Sequence, residues 1–336
     1  MSMTSIGDLS RSLILRQANL ATKSELTVRT RELTTGIRDD IAAALGGDTR
    51  GLGQVEARLT TLAAYDRSST DLARQAEGMQ HVLGTIQDGA QSLWANLVQI
   101  AALPSPHSIA VGLMQAQQQL SDVVGQINTS FGGRFLLSGT NVTTPPLPAV
   151  DDLLAATRSA IGSPATADDL VAAVSAFFDA PPGSGGFPDS IYQGDTAAVT
   201  AVIASGQSAA LDANAASPAI RNVLKGMVLL ALATEAPWAG DTQAQAKIMG
   251  ASGEILLAAD GELSLLRGDI GTTEGALARA QTRNSAESTT LTLNRNTMIG
   301  ADQYEAASAI AEAEARMEAI YSLTARLSRL SLAAYL

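Results

Sequence analysis

The chain has 336 residues, 46% of them hydrophobic, and a formal charge of −11. The acidic balance argues against nucleic acid as a main partner, since phosphate binding needs clustered Lys and Arg. The absence of Cys rules out disulfides, thiolate catalysis and Cys-ligated metal, and an aromatic content of 4% points to a core packed by Leu and Ala, as in helical bundles.

The first 37 residues follow a helical pattern, with Leu9, Leu13, Leu20, Leu26, Leu33 and Ile37 apolar. The stripe drifts around the surface, so this helix is expected to touch more than one neighbour. "LIL" (Leu13–Leu15) between Arg11 and Arg16 is far short of a signal-peptide core, so export by a cleaved signal is not expected. "GGDTRGLG" (Gly46–Gly53) lacks the Gly-Lys-[Ser/Thr] of a phosphate loop and reads as a joint between helical segments.

The most regular stretch is Gln54–Leu103. One heptad line runs Val55, Leu62, Ser69, Ala76, Leu83, Ala90, Leu97, and the other Tyr65, Leu72, Met79, Ile86, Leu93, Ile100. Their alternating offsets make an a/d seam. All 11 prolines lie between Pro104 and Pro237, which leaves both ends free to be long helices. "LPSP" (Leu103–Pro106) ends the long helix, and a second runs from about Ser108 to Ser130, antiparallel to it. "FGGRFLLSGT" (Phe131–Thr140) then reads as a helix stop and a strand bracketed by glycines.

Residues 141–236 read as a small α+β insert. It has helices at Ala149–Ile161, Ala167–Phe178 and Pro218–Ala233, and short strands turning at Gly194-Asp195 and Ser205-Gly206. "MVLLALA" (Met227–Ala233) is too short to span a bilayer, so no membrane partner is expected. Thr242–Arg267 is helical, Gly268, Gly271 and Gly275 mark a weak point or kink, and helix resumes to the end. There Ile310, Met317, Ile320, Leu323, Leu327, Leu330, Leu332, Tyr335 and Leu336 keep the surface apolar to the last residue. An apolar stripe running off a chain end needs a partner. Residues 1–38 balance at +3 and residues 301–336 at −2, which favours the two ends pairing.

The expected fold is therefore mainly α: an elongated, coiled-coil-like antiparallel rod made by both ends of the chain, carrying the insert. Its expected divisions are an N-terminal assembly helix (1–45), rod helices with the hairpin (46–140), the insert (141–236), a rod helix (237–300) and a C-terminal assembly helix (301–336). No nucleophile–base set is legible. His81 lies off both seam lines and His107 in the Pro turn, without the convergent ligands a zinc site needs. The pairs Asp151-Asp152 and Asp168-Asp169 suit helix starts better than catalysis. No catalytic, metal or cofactor site is expected.

"YEAASAIAEAEARMEAIYSLTARLSRLSLAAYL" (Tyr304–Leu336) resembles the C-terminal helix of the bacterial flagellin family, and "ELTTGIRDD" (Glu32–Asp40) resembles that family's Leu-Ser-Ser-Gly joint. Gly132, Gly133, Arg134, Phe135, Ser138 and Gly139 are similar to the signature of its hook–filament junction branch, with Leu137 in place of the usual Phe. "YQGD" (Tyr192–Asp195) resembles a strand turn of the same branch. The resemblance implies a non-enzymatic, extracellular structural subunit of the flagellum that supports motility. It also implies its partners: further copies in a ring homo-oligomer, the neighbouring hook-associated protein FlgK, the filament's flagellin, the flagellar type III export apparatus and an export chaperone. It implies that the apolar terminal residues named above meet neighbouring subunits. A short flagellin forming the filament itself is the alternative.

Overall fold

The computed structural model describes residues 6–333. The fold is mainly α. Among the described residues the helices are α1 (Ile6–Thr35), α2 (Ile41–Ala44), α3 (Arg50–Ala102), α4 (Pro106–Ile127), α5 (Val150–Ile161), α6 (Ala167–Asp179), α7 (Phe187–Ser190), α8 (Pro218–Leu232), α9 (Thr242–Ile299) and α10 (Gln303–Ala333). Two small antiparallel sheets accompany them, β1 (Ser130–Phe131) with β2 (Arg134–Phe135) and β3 (Val199–Ala204) with β4 (Gln207–Leu211). The contacts divide the chain into two units. One holds the residues up to Ala63 together with those from Ser285 onward, and the other is Ala64–Asn284.

In the first unit α1 and α10 run antiparallel, joined by an ion pair of Arg316 with Glu25 at 3.0 Å. The opening of α3 and the end of α9 pair there too, through the bidentate contact of Arg58 with Glu287 at 2.6 and 2.9 Å.

The second unit contains the main core. The heptad reading of α3 holds: Leu72, Ala76, Met79, Leu83, Ile86, Ala90, Leu93 and Leu97 are buried. Ser105 caps α4 in a reciprocal capping box with Ser108, and Pro106 takes the first helical position, where its missing N–H costs nothing. Thr166 and Asp169 do the same for α6, so one member of the Asp168-Asp169 pair is a cap. From Val223 to Leu232 every residue of α8 is buried. Its Lys225 reaches out of that apolar setting to Asp179 at 2.8 Å, which supplies the partner a buried ammonium needs. Phe178 stacks on Phe187 at 5.0 Å, tying α6 to α7.

Three expectations are corrected. No break falls at Gly268, Gly271 and Gly275, because α9 continues through them to Ile299. Each glycine costs only about 1 kcal/mol relative to alanine, and the flanking buried Ile270 and Leu277 hold the helix. The interruption comes instead at Gly300–Asp302, where Asp302 Oδ1 accepts the N–H groups of Tyr304 and Glu305 and starts α10. Finally, Gly194-Asp195 does not turn between strands. It lies in a loop after the short α7, and of the two turns expected in the insert Ser205-Gly206 is the one that joins strands, with Gly206 at φ 68°.

Candidate assembly surface

Helices α1 and α10 meet through small and polar residues. Among the described residues Thr22, Glu32, Ala306 and Ala313 are the buried positions of the pair, and Leu26, Leu33, Ile310, Met317 and Ile320 are half-buried. Small residues at the seam let the two backbones approach. The larger apolar groups are left outside: Leu13 is 57% exposed, Leu20 63% and Leu323 50%, and Leu327 is exposed as well. Leu9, Leu330 and Leu332 fall on these helices, but their side chains lie outside the described ones, as do Tyr335 and Leu336 entirely. The Tyr321 hydroxyl bonds with Asn19, and this bond together with the positive charge of Lys23 lowers its pKa.

Both helices are interrupted at one level. Gly36, at φ 69°, ends α1 in a left-handed conformation that suits glycine. The chain beyond it pairs with the α9–α10 break: Arg38 N–H donates to Ile299 O and Ala301 N–H to Gly36 O, each at 2.9 Å. Arg38 Nε adds a bond to Gly300 O at 3.0 Å. Glu32 is buried here. It accepts Arg29 Nη1 at 2.9 Å and the Asp39 N–H at 3.0 Å, while Arg31 pairs with Asp39. Asp40 then caps α2 by accepting the Ala43 N–H. The charged residues of "ELTTGIRDD" are thus committed to building this turn.

In the other unit the hairpin motif splits into an exposed tip and a buried latch. Gly132 and Gly133 form the two-residue turn between β1 and β2, at φ 59° and 78°. Two positive φ values are what such a turn requires to match strand twist. Arg134 is exposed and Phe135 half-buried. From Leu136 to Gly139 every residue is buried. Leu136 packs over Gly78 of α3, and Leu137 offers its carbonyl to the Ala215 N–H at 2.9 Å.

The two stretches singled out in the sequence, "FLLSGT" and "YQGD", lock together. Asp195 N–H donates to Ser138 O at 2.9 Å, and Thr140 Oγ1 donates to Asp195 Oδ2 at 2.6 Å. Tyr192 Oη donates to Asp195 O at 2.7 Å, and Ser138 Oγ to Thr144 O at 2.6 Å. A Cβ on Gly139 would sit 1.8 Å from Asp195 O, so only glycine admits this approach. Burial, and then the charge of Asp195, push the Tyr192 pKa far up, so the hydroxyl remains a donor. The Thr140 hydroxyl, and then the Ala197 N–H, hold the Asp195 carboxyl below its usual range. Tyr192, Asp195 and Thr140 were legible only as a resemblance. No local pattern tells that they meet across 55 residues of chain.

A depressed carboxyl adds stability that is present above its unfolded pKa, about 3.9, and lost as pH falls through the folded value. Thr140→Val removes the larger cause of the Asp195 shift. The Asp195 pKa should then rise toward the ordinary value, and acid unfolding of the unit should begin at higher pH. NMR titration of the carboxyl carbon measures this, and an unchanged pKa would contradict the latch.

Among the described residues no group of three or more His, Cys, Asp or Glu is placed to hold a metal ion. Among the described residues no helix is long and apolar enough to cross a membrane. His81 and His107 are exposed. What the arrangement offers is apolar and hydrogen-bonding surface for association.

No family model matches the chain, and neither does any curated protein. Among solved structures it is similar to a Vibrio parahaemolyticus protein described as a flagellar hook-associated protein, at 13% identity and a TM-score of 0.43, over 73% of this chain and 99% of that one.

Proposed function

We propose that this chain is a structural, non-enzymatic subunit of the bacterial flagellum, and within it a hook–filament junction protein of the FlgL kind. The observation that carries the reading is the Phe131–Thr140 motif, whose resemblance is to the junction branch of the flagellin family. Its latch onto "YQGD" gives both stretches one physical purpose.

In this reading further copies, FlgK and flagellin are the partners, and α1 and α10 carry the assembly contacts. Burying the outer surface of Leu13, Leu20 or Leu323 against a neighbour contributes about 1–2 kcal/mol each, at about 25 cal/mol per Å². Spread over several such residues per copy, this adds to the packing of α1 on α10 and favours the assembled state. The chain would pass through the flagellar export apparatus, with a chaperone, before it assembles outside the cell. Deleting the gene tests the junction role. Hooks without filaments, and flagellin free in the medium, are expected. Filaments of normal length on the deletion strain would overturn it.

A further inference from the structure

Helix α4 turns one face to the core of its unit, where Ile109, Leu113, Ala116 and Leu120 are buried. Its opposite face is also apolar at the centre. His107, Val111, Met114 and Gln118 follow one another at steps of four, three and four, which places them on one side of the helix. All four are exposed, Val111 to 50% and Met114 to 70%. Leu103, in the turn that leads into α4, is 83% exposed. The outer face of a surface helix is ordinarily charged or polar.

Charge is missing from the same place. From Gly89 to Ser121 there is no Asp, Glu, Lys or Arg. At the chain's 16% of charged residues those 33 positions would carry about five. Asp88 and Asp122 close the stretch at its two ends. The groups that flank the apolar side chains are neutral amides: Asn96 Nδ2 donates to Gln115 Oε1 at 3.4 Å, and Gln118 Nε2 to Asp122 Oδ1 at 3.0 Å. An apolar centre that holds Met, lacks charge and has a polar rim is the composition of a protein–protein interface. Leu265 on α9 gives the contrast. It is 73% exposed, but Glu262, Arg267 and Asp269 stand beside it in the helix.

Charge also selects the partner. Each copy carries −11, so two copies repel one another over most of their surface. A partner recognised by opposite charge would need charged groups on this face, and α4 has none before Asp122. A neutral face meets its own image without repulsion, and pairing about a two-fold axis needs only one patch. We propose that the outer face of α4 docks a second copy of this chain, α4 against α4 in antiparallel fashion, with Val111 and Met114 at the centre. The contact uses none of the terminal leucines and does not rest on the flagellar reading. One helix face is small, which puts it among the weak, transient interfaces. Half-association is expected at about 10–100 μM. Since the rest of the surface repels, the pairing should tighten as salt is raised.

Sedimentation velocity of the full-length chain tests this, from about 5 to 500 μM. The chain is run with and without Leu20→Asp and Leu327→Asp, which disarm the terminal face, so the two surfaces are read separately. A monomer–dimer equilibrium that persists with those two changes, and holds more dimer at high salt, is expected. Val111→Glu with Met114→Glu should weaken it by about 100-fold at unchanged helicity, because both side chains are exposed in the single chain. Met114→Glu alone is the milder variant, should the pair disturb folding, and should weaken it by about tenfold or more. Leu265→Glu, at an equally exposed leucine, should leave the equilibrium as it was. A chain that stays monomeric throughout would leave this face to a different protein and overturn the proposal. A dimer that survives the folded α4 variants would overturn it as well.

Discussion

Gly139→Ala is expected to lower the melting temperature of the unit that holds the motif latch by about 6–12 °C, from a loss of about 3 kcal/mol. Two costs add. Gly139 sits at φ 64°, where an L side chain pays about 1–2 kcal/mol. Its Cβ would also lie 1.8 Å from the Asp195 carbonyl oxygen, so the loop must back away and give up the Asp195–Ser138 and Thr140–Asp195 hydrogen bonds. Gly132→Ala is the matched control. It carries a similar φ of 59°, but a Cβ there meets nothing within 4 Å, so only the conformational cost of about 1 kcal/mol remains. Thermal unfolding of the two variants side by side separates crowding from backbone strain. Equal, small losses would mean that the latch is not a close-packed contact.

Leu20→Asp and Leu327→Asp are expected to leave export intact and to cut incorporation into the flagellum by about 100-fold or more. Both side chains are exposed in the single chain, so neither change should cost the folded unit more than about 0.5 kcal/mol. In the proposed assembly the same positions are covered by a neighbouring copy, and an unpaired carboxylate buried there costs about 3 kcal/mol per contact. The pairing of α1 with α10 does not compete for these leucines, because it uses Thr22, Ala306 and Ala313. The measurement is the ratio of secreted to flagellum-bound protein, alongside swimming speed. A variant that is incorporated normally would show that this face meets nothing.

Much of the fold was legible because its cause is local and periodic. The seam of α3, the Pro106 start of α4 and the Thr166 cap of α6 each follow from a few neighbouring residues. What failed was the weighting of glycine. Gly268, Gly271 and Gly275 cost α9 little, since its apolar seam holds the helix on both sides of them. Gly300 ends it, because the chain there pairs with the Gly36–Arg38 segment. That pairing spans nearly the whole sequence, and no local rule reports it. The same limit applies to the motif. "FLLSGT" stood out as a pattern, but its bonds run to Asp195 and Ala215, and only the folded chain shows that Gly139 is required by a carbonyl from another segment. For the assembly surface, composition predicted apolar termini. Which leucines are left outside depends on α1 pairing with α10, which sequence charge hinted at through opposite signs. The ion pair of Glu25 with Arg316 between the two helices has those signs reversed.

The junction reading is tested most directly by immunogold electron microscopy of intact flagella, with an antibody raised against residues 141–236. A single band of label where hook meets filament is the predicted result. Label along the whole filament would contradict it and make the chain a flagellin.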